Sequence, residues 1–384
     1  MPDLGIVLLA ALILVSLAMS GNASVLVQAF IVWERPFSAT SVSVAPDAVY
    51  AAGGNEVRRY DLNGTLVWIT YVDSFVTGVA ADPTGIYVVG SAPDSNYNGV
   101  GFEQRNATLA RLNSTGGIVW SRELTTSPES ITTSWASAVA VDSTGVYIAG
   151  YTLLFYRYPE YGWVAKTDSN GNQSWVERLD PIAITTAISS GPRAVYLSGF
   201  SRGCLGSTSS DVCPVQAYLT AIDPNGQTLW TREIPSYCGP TSHSSSCDYQ
   251  GAPQTFAQSI SAGVSGVYVS GSTEGVIPGQ VPTSSGRGAS DAFVGRYDQN
   301  GTELWIKEFG TAYQNNAYGI STGPKGTYVV VSDGLRQFDS DGNQLWLLKL
   351  DFAATSVSAS PTAIFLGGRS SIAEACAMPS CARP

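Results

Sequence analysis

One short pattern recurs along the chain: a polar turn residue, Gly at the fourth position, and Trp seven positions after the first. It is met six times, as DLNGTLVW (61–68), NSTGGIVW (113–120), DSNGNQSW (168–175), DPNGQTLW (223–230), DQNGTELW (298–305) and DSDGNQLW (339–346). Asn113 stands where the other copies have Asp. A seventh Trp, Trp33, sits in VLVQAFIVWERPF (25–37) with no such turn before it. An Asx-Gly bend leading into an apolar, β-prone run is a hairpin signal. Its return at spacings of 41 to 75 residues makes the chain a repeat architecture.

A second pattern interleaves with the first: a strand of small apolar residues, a tight turn, then an aromatic strand with Gly three positions after the ring. SAVAVDSTGVYIAG is one copy, and the aromatic positions are Tyr50, Tyr87, Tyr147, Tyr196, Tyr268, Tyr328 and Phe365. Val331 replaces the Gly after Tyr328. One unit therefore holds four antiparallel strands, A to D, with Tyr on B and Trp on D. Both faces of these strands are apolar, as in TLVWITYV, which suits sheets stacked face to face around an axis. The expected fold is all-β: a seven-bladed β-propeller of four-stranded antiparallel blades. Its ring is closed by the N-terminal Trp33 strand, which completes the last blade as strand D, with SIAEACAM (371–378) as strand C. Trp33, Trp68, Trp120, Trp175, Trp230, Trp305 and Trp346 are then structural, and residues 24–384 form a single domain.

The stretches AVAVDSTGVYIAG (138–150) and DAFVGRYDQNGTELWIKEFG (291–310) closely resemble the β-propeller repeats called SBBP repeats. That resemblance implies an exported surface protein with no common catalytic activity. The repeat is also similar to the tryptophan-docking motif of quinoprotein dehydrogenases. Those enzymes generally use eight blades, an adjacent Cys-Cys pair and calcium-binding acids, and the chain has no Cys-Cys.

Successive connections in such a blade emerge on alternate faces. The A–B and C–D connections are all short Asp/Pro/Asn/Gly turns. The B–C and D–A connections hold all the extra length, in blades 2 to 5, while blades 1 and 6 close B to C with GGN (53–55) and SDG (332–334). The long-loop face should thus be high on one side and low on the other. Among its loops, YTLLFYRYPEYGW (151–163) carries Phe155, Tyr156, Arg157, Tyr158 and Tyr161, and Tyr237 and Tyr249 flank a neighbouring loop. Two readings stand: these rings cap the blade, or they form a surface for a protein or a glycan. The sequons at Asn63, Asn106, Asn113, Asn172 and Asn300 fall on or beside the opposite face. Asn-Gly is also what such turns require for their own geometry.

Residues 4–19, LGIVLLAALILVSLAM, are an unbroken apolar run without a basic flank. Residues 1–23 are read as a signal peptide or a retained N-terminal anchor, which places the remainder outside the cytoplasm, secreted or at the cell surface. Cysteine usage agrees, with close pairs Cys204/Cys213, Cys238/Cys247 and Cys376/Cys381 in loop-like sequence, read as disulfides. Local pairing is the simplest framework, with cross-pairing between the first two loops left open.

Only 13% of residues are charged, against about 25% in average globular chains. The net charge of −10 comes with no basic run, which excludes a reader of nucleic-acid phosphates. His243 is the only histidine, and the acids Glu103, Glu160 and Asp211 lie far apart in loops, so no hydrolytic set is visible. DSDGN (339–343) resembles the start of a calcium loop but lacks the downstream Glu. The expectation is a non-enzymatic binding or structural module with no cofactor and no metal, whose partner is an extracellular protein or glycan on the long-loop face. Membrane contact comes only through an uncleaved N-terminal segment. The alternatives are a self-associating surface-layer or filament subunit, and a quinone-dependent or hydrolytic propeller enzyme.

Overall fold

The computed structural model describes residues 8–17, 26–93, 105–126, 132–154, 161–180, 184–201, 215–238, 253–281, 290–311 and 314–369. Six sheets are each made of four consecutive antiparallel strands, A to D, and form blades 1 to 6. Blade 1 comprises Ser41–Ala45, Ala48–Gly53, Glu56–Tyr60 and Leu66–Tyr71. Blade 2 comprises Phe75–Asp82, Gly85–Pro93, Arg105–Leu112 and Ile118–Glu123. The D strands of blades 3 to 6 are Gln173–Leu179, Thr228–Ile234, Glu303–Phe309 and Gln344–Leu348.

A further four-stranded sheet is composite. Its order is Leu26–Pro36, Leu8–Leu17, Ile364–Arg369, Ala353–Ala359, so both ends of the chain contribute. This corrects the sequence reading in two respects. Six blades are whole units, not seven, and the strand beside Ile364–Arg369 is Leu8–Leu17 rather than SIAEACAM. The physical reason lies in the position: a C strand is covered on both sides, and LLAALILVSL offers it ten residues with neither charge nor proline. SIAEACAM carries Glu374, and residues 370–384 lie outside the described residues.

The register within the blades explains the two recurring aromatics. Tyr147 pairs with Lys166, which pairs with Trp175, and Tyr196–Ala221–Trp230 repeats the ladder in blade 4. The ring centroids of Tyr and Trp lie 5.9 Å apart in blade 4 and 6.4 Å apart in blade 2. The composite sheet keeps this register, with Phe365 opposite Ala11 and Ala11 opposite Trp33.

Trp68, Trp120, Trp175, Trp230 and Trp305 then reach forward onto the next blade. Trp68 Nε1 donates to Ser114 O (3.0 Å), Trp175 Nε1 to Pro224 O (3.2 Å), Trp230 Nε1 to Gln299 O (3.0 Å) and Trp305 Nε1 to Ser340 O (2.8 Å). All four acceptors lie in the following C–D turn. The Gly of that turn lies flat on the indole: at Gly301, with φ +79°, an added Cβ would stand 2.7 Å from Trp230 Cδ2. The first residue of the turn ties the bend itself, as Asp298 Oδ1 accepts from the N–H groups of Asn300 and Thr302, each at 2.8 Å. These hydrogen bonds hold the carboxyls of Asp61, Asp168, Asp298 and Asp339 below the usual range.

Adjacent blades bury apolar side chains between them. Tyr50, Ala52 and Val57 of blade 1 meet Val76, Val79 and Val88 of blade 2. In the composite sheet, Ile364 and Leu366 pack against Tyr328, Val330 and Leu335 of blade 6, while Phe365 between them packs against Val42, Val49 and Tyr60 of blade 1. That is the strand alternation of period two, serving one neighbour on each side. Full burial of one such side chain is worth roughly 1.5–3 kcal/mol.

Candidate functional site

A central channel of about 250 Å³ is lined by one triplet from each of seven inner strands. The triplets begin at Thr40, Thr77, Ser137, Thr186, Gln258, Tyr318 and Thr355. Register shifts surround the last six of these positions, so each is the extra residue of a β-bulge. Several of the hydroxyls are consumed in joining blades. Thr77 Oγ1 donates to Ala136 O (2.7 Å), and Thr186 Oγ1 donates to Ala257 O (2.7 Å). The third residues, Val42, Val79, Val139, Ile188, Ile260, Ile320 and Val357, form a belt of buried β-branched side chains. None of the lining residues is charged. A quinone bearing several carboxylates would need cations there, so the described channel does not fit it.

More open space lies on the long-loop face, where blade 1 is low. Two clefts, of about 440 and 480 Å³, share Gly54, Asn55 and Phe75. Among the described residues they lie where the B–C connection of blade 1 is only Gly54–Asn55, too short itself to cover the neighbouring strand ends. The first cleft is floored by Phe37, with the Arg58 guanidinium 4.2 Å from its ring centroid and paired to Glu56 at 2.6 Å. The second reaches Asp73 and Arg105, whose guanidinium lies 5.3 Å from the Trp135 ring. Trp135 is in turn stacked on Tyr151, at 6.5 Å and 13°. Phe75, between the clefts, is 50% exposed. Such a surface, apolar at its centre with stacked guanidiniums beside it, can hold a partner's side chains by packing and by charge.

Of the residues singled out in the sequence, Phe155, Tyr156, Arg157, Tyr158 and Tyr249 lie outside the described residues. Tyr161 is buried at the start of strand C in blade 3, with Arg178 over its ring at 4.4 Å. Tyr237 is exposed, and its backbone exchanges two hydrogen bonds with Val276 (3.0 and 2.8 Å). Cys238, at the end of a described segment, is disulfide-bonded. The other cysteines read as disulfide partners, Cys204, Cys213, Cys247, Cys376 and Cys381, lie outside the described residues, and the choice between local and crossed pairing lies there with them. Among the sequons, Asn63 and Asn300 are exposed turn residues, and Asn113 Oδ1 accepts from Thr115 N (3.0 Å) and Gly117 N (2.8 Å) in its own turn. The side-chain amides of Asn106 and Asn172 donate to Glu123 (3.1 Å) and Asp168 (2.8 Å). In DSDGN, Asp339 accepts from its own turn, at Asp341 N and Asn343 N, and among the described residues no group of three or more His, Cys, Asp or Glu gathers.

Sequence reasoning missed the Phe75 clefts and a buried pair of acids, Asp291 and Glu308, in blade 5. Asp291 is 1% exposed and Glu308 9%. Burial, and secondarily the neighbouring Asp291, pushes the Glu308 carboxyl up to about 8. Aligning the D strands on Trp would have exposed the anomaly, since this is one acid beside another where blades 2 and 3 have the complementary pairs Glu123–Asn106 and Arg178–Tyr161.

Solved structures similar to the chain include the Neurospora crassa Pan2 WD40 domain, at 10% identity and a TM-score of 0.52, covering 86% of this chain and 89% of that one. Kuenenia stuttgartiensis hydrazine synthase is similar at 12% identity and a TM-score of 0.53, covering 84% of this chain and 90% of that one. At such identities the likeness is one of fold. No curated protein matches the sequence. Residues 53–285, more than half of the chain, match the PQQ_2 family model described as outer membrane protein assembly factor BamB, and the chain belongs to that propeller family.

Proposed function

We propose that this protein is an extracytoplasmic, non-enzymatic propeller that binds a protein or glycan partner across the low side of its long-loop face. The reading rests on the two adjoining clefts around Phe75, which are bordered by an exposed aromatic ring and by the cationic side chains of Arg58 and Arg105. The family's description as an outer membrane protein assembly factor favours a protein as the partner. A photo-crosslinking residue at Phe75 is expected to capture one partner of defined mass in cells, and one at Asp223 on the turn face to capture none. Capture from Asp223 alone would sink the reading.

The composite sheet is proposed to act as the seventh blade and close the ring, in the manner of exported SBBP-type propellers. Two contacts support closure. Val44 N–H donates to Ser358 Oγ (3.2 Å), as Ala359 N–H does to Ser321 Oγ (3.0 Å) between blade 6 and the composite sheet. Arg35 Nε donates to Gly64 O (2.7 Å), as Arg232 Nε does to Gly301 O (2.8 Å) between blades 4 and 5. Cysteines at Val44 and Ser358 that fail to join under oxidation would count against it.

One observation favours a second reading, self-assembly. The outer strand of blade 1 leaves Leu66, Val67, Ile69 and Tyr71 exposed and carries no charge, whereas the outer strands of blades 2 to 5 each carry basic and acidic residues. Val67→Lys should leave the solution mass unchanged if the protein is a monomeric binder and lower it if this edge assembles.

A further inference from the structure

Five sequons stand among the described residues, and the structure separates them. Asn106, Asn113 and Asn172 each spend the side-chain amide on the fold. Asn106 donates to Glu123 (3.1 Å) beside a buried Thr108, and Asn172 donates to Asp168 Oδ2 (2.8 Å). Asn113 Oδ1 accepts from Thr115 Oγ1 (2.8 Å) as well as from two N–H groups of its turn. Asn63 and Asn300 differ. They occupy the third position of the C–D turns of blades 1 and 5, and both are exposed, as are Thr65 and Thr302 two residues on. Neither side-chain amide has a hydrogen-bond partner among the described residues.

The bend itself does not require these residues. Its left-handed position belongs to Gly64 (φ +78°) and Gly301 (φ +79°), and no described residue other than glycine has a positive φ. The third position is Thr115 in blade 2 and Asp341 in blade 6. The fifth is Gly117, Asn172, Gln227 or Asn343 where it is not Thr65 or Thr302. Only blades 1 and 5 combine Asn with Thr at these two places. Both copies also begin with an acid, giving Asp-x-Asn-Gly-Thr at 61–65 and at 298–302. The residues two before Asn106, Asn113 and Asn172 are Gln104, Arg111 and Asn170. An acid in that place offers a transferase a charge to read, in addition to the Asn amide and the Thr hydroxyl.

We propose that Asn63 and Asn300 are N-glycan acceptors on the turn face, chosen by the Asp before and the Thr after each of them. The donor is an oligosaccharide carried on a lipid diphosphate outside the cytoplasm, so the proposal rests on the extracytoplasmic reading above. In the transfer the bond from Asn Nδ2 to the sugar C1 forms, and the C1–O bond to the diphosphate breaks. The lipid diphosphate leaves with the electron pair, and one amide proton passes to solvent. The step precedes closure of the turn. In the folded turn Asp61 is drawn back onto the backbone, where its Oδ1 accepts from the N–H groups of Asn63 (2.9 Å) and Thr65 (2.7 Å), and Asp298 does the same in blade 5. Folding then leaves both sugars in solvent without the loss of a side-chain hydrogen bond at either Asn. Glycans on the turn face confine a large partner to the long-loop face.

Peptide mass spectrometry of the protein purified from its own cells tests this, because trypsin places each of the five sequons on a separate peptide. A glycan is expected on peptides 60–105 and 297–307, at Asn63 and Asn300, and none on 106–111, 112–122 and 167–178. Asp61→Asn keeps the turn, as Asn113 does in blade 2, but removes the acid. Thr65→Ala removes the hydroxyl and keeps the N–H that Asp61 accepts. Either variant should lose the glycan at Asn63 while Asn300, in the same molecule, keeps its own. Bare Asn63 and Asn300 in protein recovered outside the cytoplasm overturn the proposal and leave the reading of location standing. Protein found wholly in the cytoplasm overturns both. Equal occupancy at Asn106, Asn113 or Asn172 also overturns the proposal, as does an Asp61→Asn protein glycosylated at Asn63 as fully as wild type.

Discussion

On the turn face, the C–D turns of blades 2 to 6 each press a glycine against the Trp of the blade before. On the other face, connections run from two residues in blade 1 to twenty between blades 4 and 5, and share no pattern. The difference follows from where neighbouring blades are joined. A joint that includes an indole, a left-handed glycine and a backbone carbonyl admits few substitutions, so its residues recur. A connection held through backbone hydrogen bonds alone, as Gly54 O is by Val76 N–H, leaves its side chains free to vary, and such variation is what a specific surface needs.

Removing the indole tests the joint most severely. Trp230→Ala deletes the ring lying on Gly301, its pairing with Tyr196 at 5.9 Å and its bond to Gln299 O. The expected loss is about 3 kcal/mol, at the low end for truncating a large aromatic because Trp230 is only partly buried. Chemical denaturation measures it, and a loss below about 1 kcal/mol would mean that the blades are held elsewhere.

Two glycines allow a finer comparison. Gly301 on the turn face and Gly279 on the loop face both have φ +79°. An added Cβ at Gly301 meets Trp230 at 2.7 Å, and at Gly279 it meets nothing within 4 Å. Gly279→Ala should therefore cost only the backbone strain, about 1 kcal/mol, and Gly301→Ala about 2 kcal/mol or more. Equal costs in thermal unfolding would remove the Trp contact from the account.

The same contrast explains what was legible in the sequence. Asp298, Gly301 and Trp305 lie within eight residues, and each acts through local turn geometry or through the neighbouring copy, so the pattern discloses sheet, register and stacking together. The clefts around Phe75 arise from what blade 1 lacks, and no motif marks an absence. The acid pair is separated by seventeen residues and becomes a pair only through the register of strands C and D. The last unit was misread at strand C because an apolar run at the N-terminus serves equally as a leader and as a covered strand.

Phe75→Ala makes the smallest change in stability and the sharpest test of the division between faces. The ring is half exposed, forms part of no ring pair in the described structure, and borders two clefts rather than a joint. Its loss should shift stability by less than about 0.5 kcal/mol, as for surface substitutions generally. Crosslinked capture from a neighbouring position such as Asn55 should nevertheless fall sharply, because the exposed ring borders both clefts. A Phe75→Ala protein that loses stability like Trp230→Ala would make Phe75 a joint residue, and the low side would then be structure rather than surface.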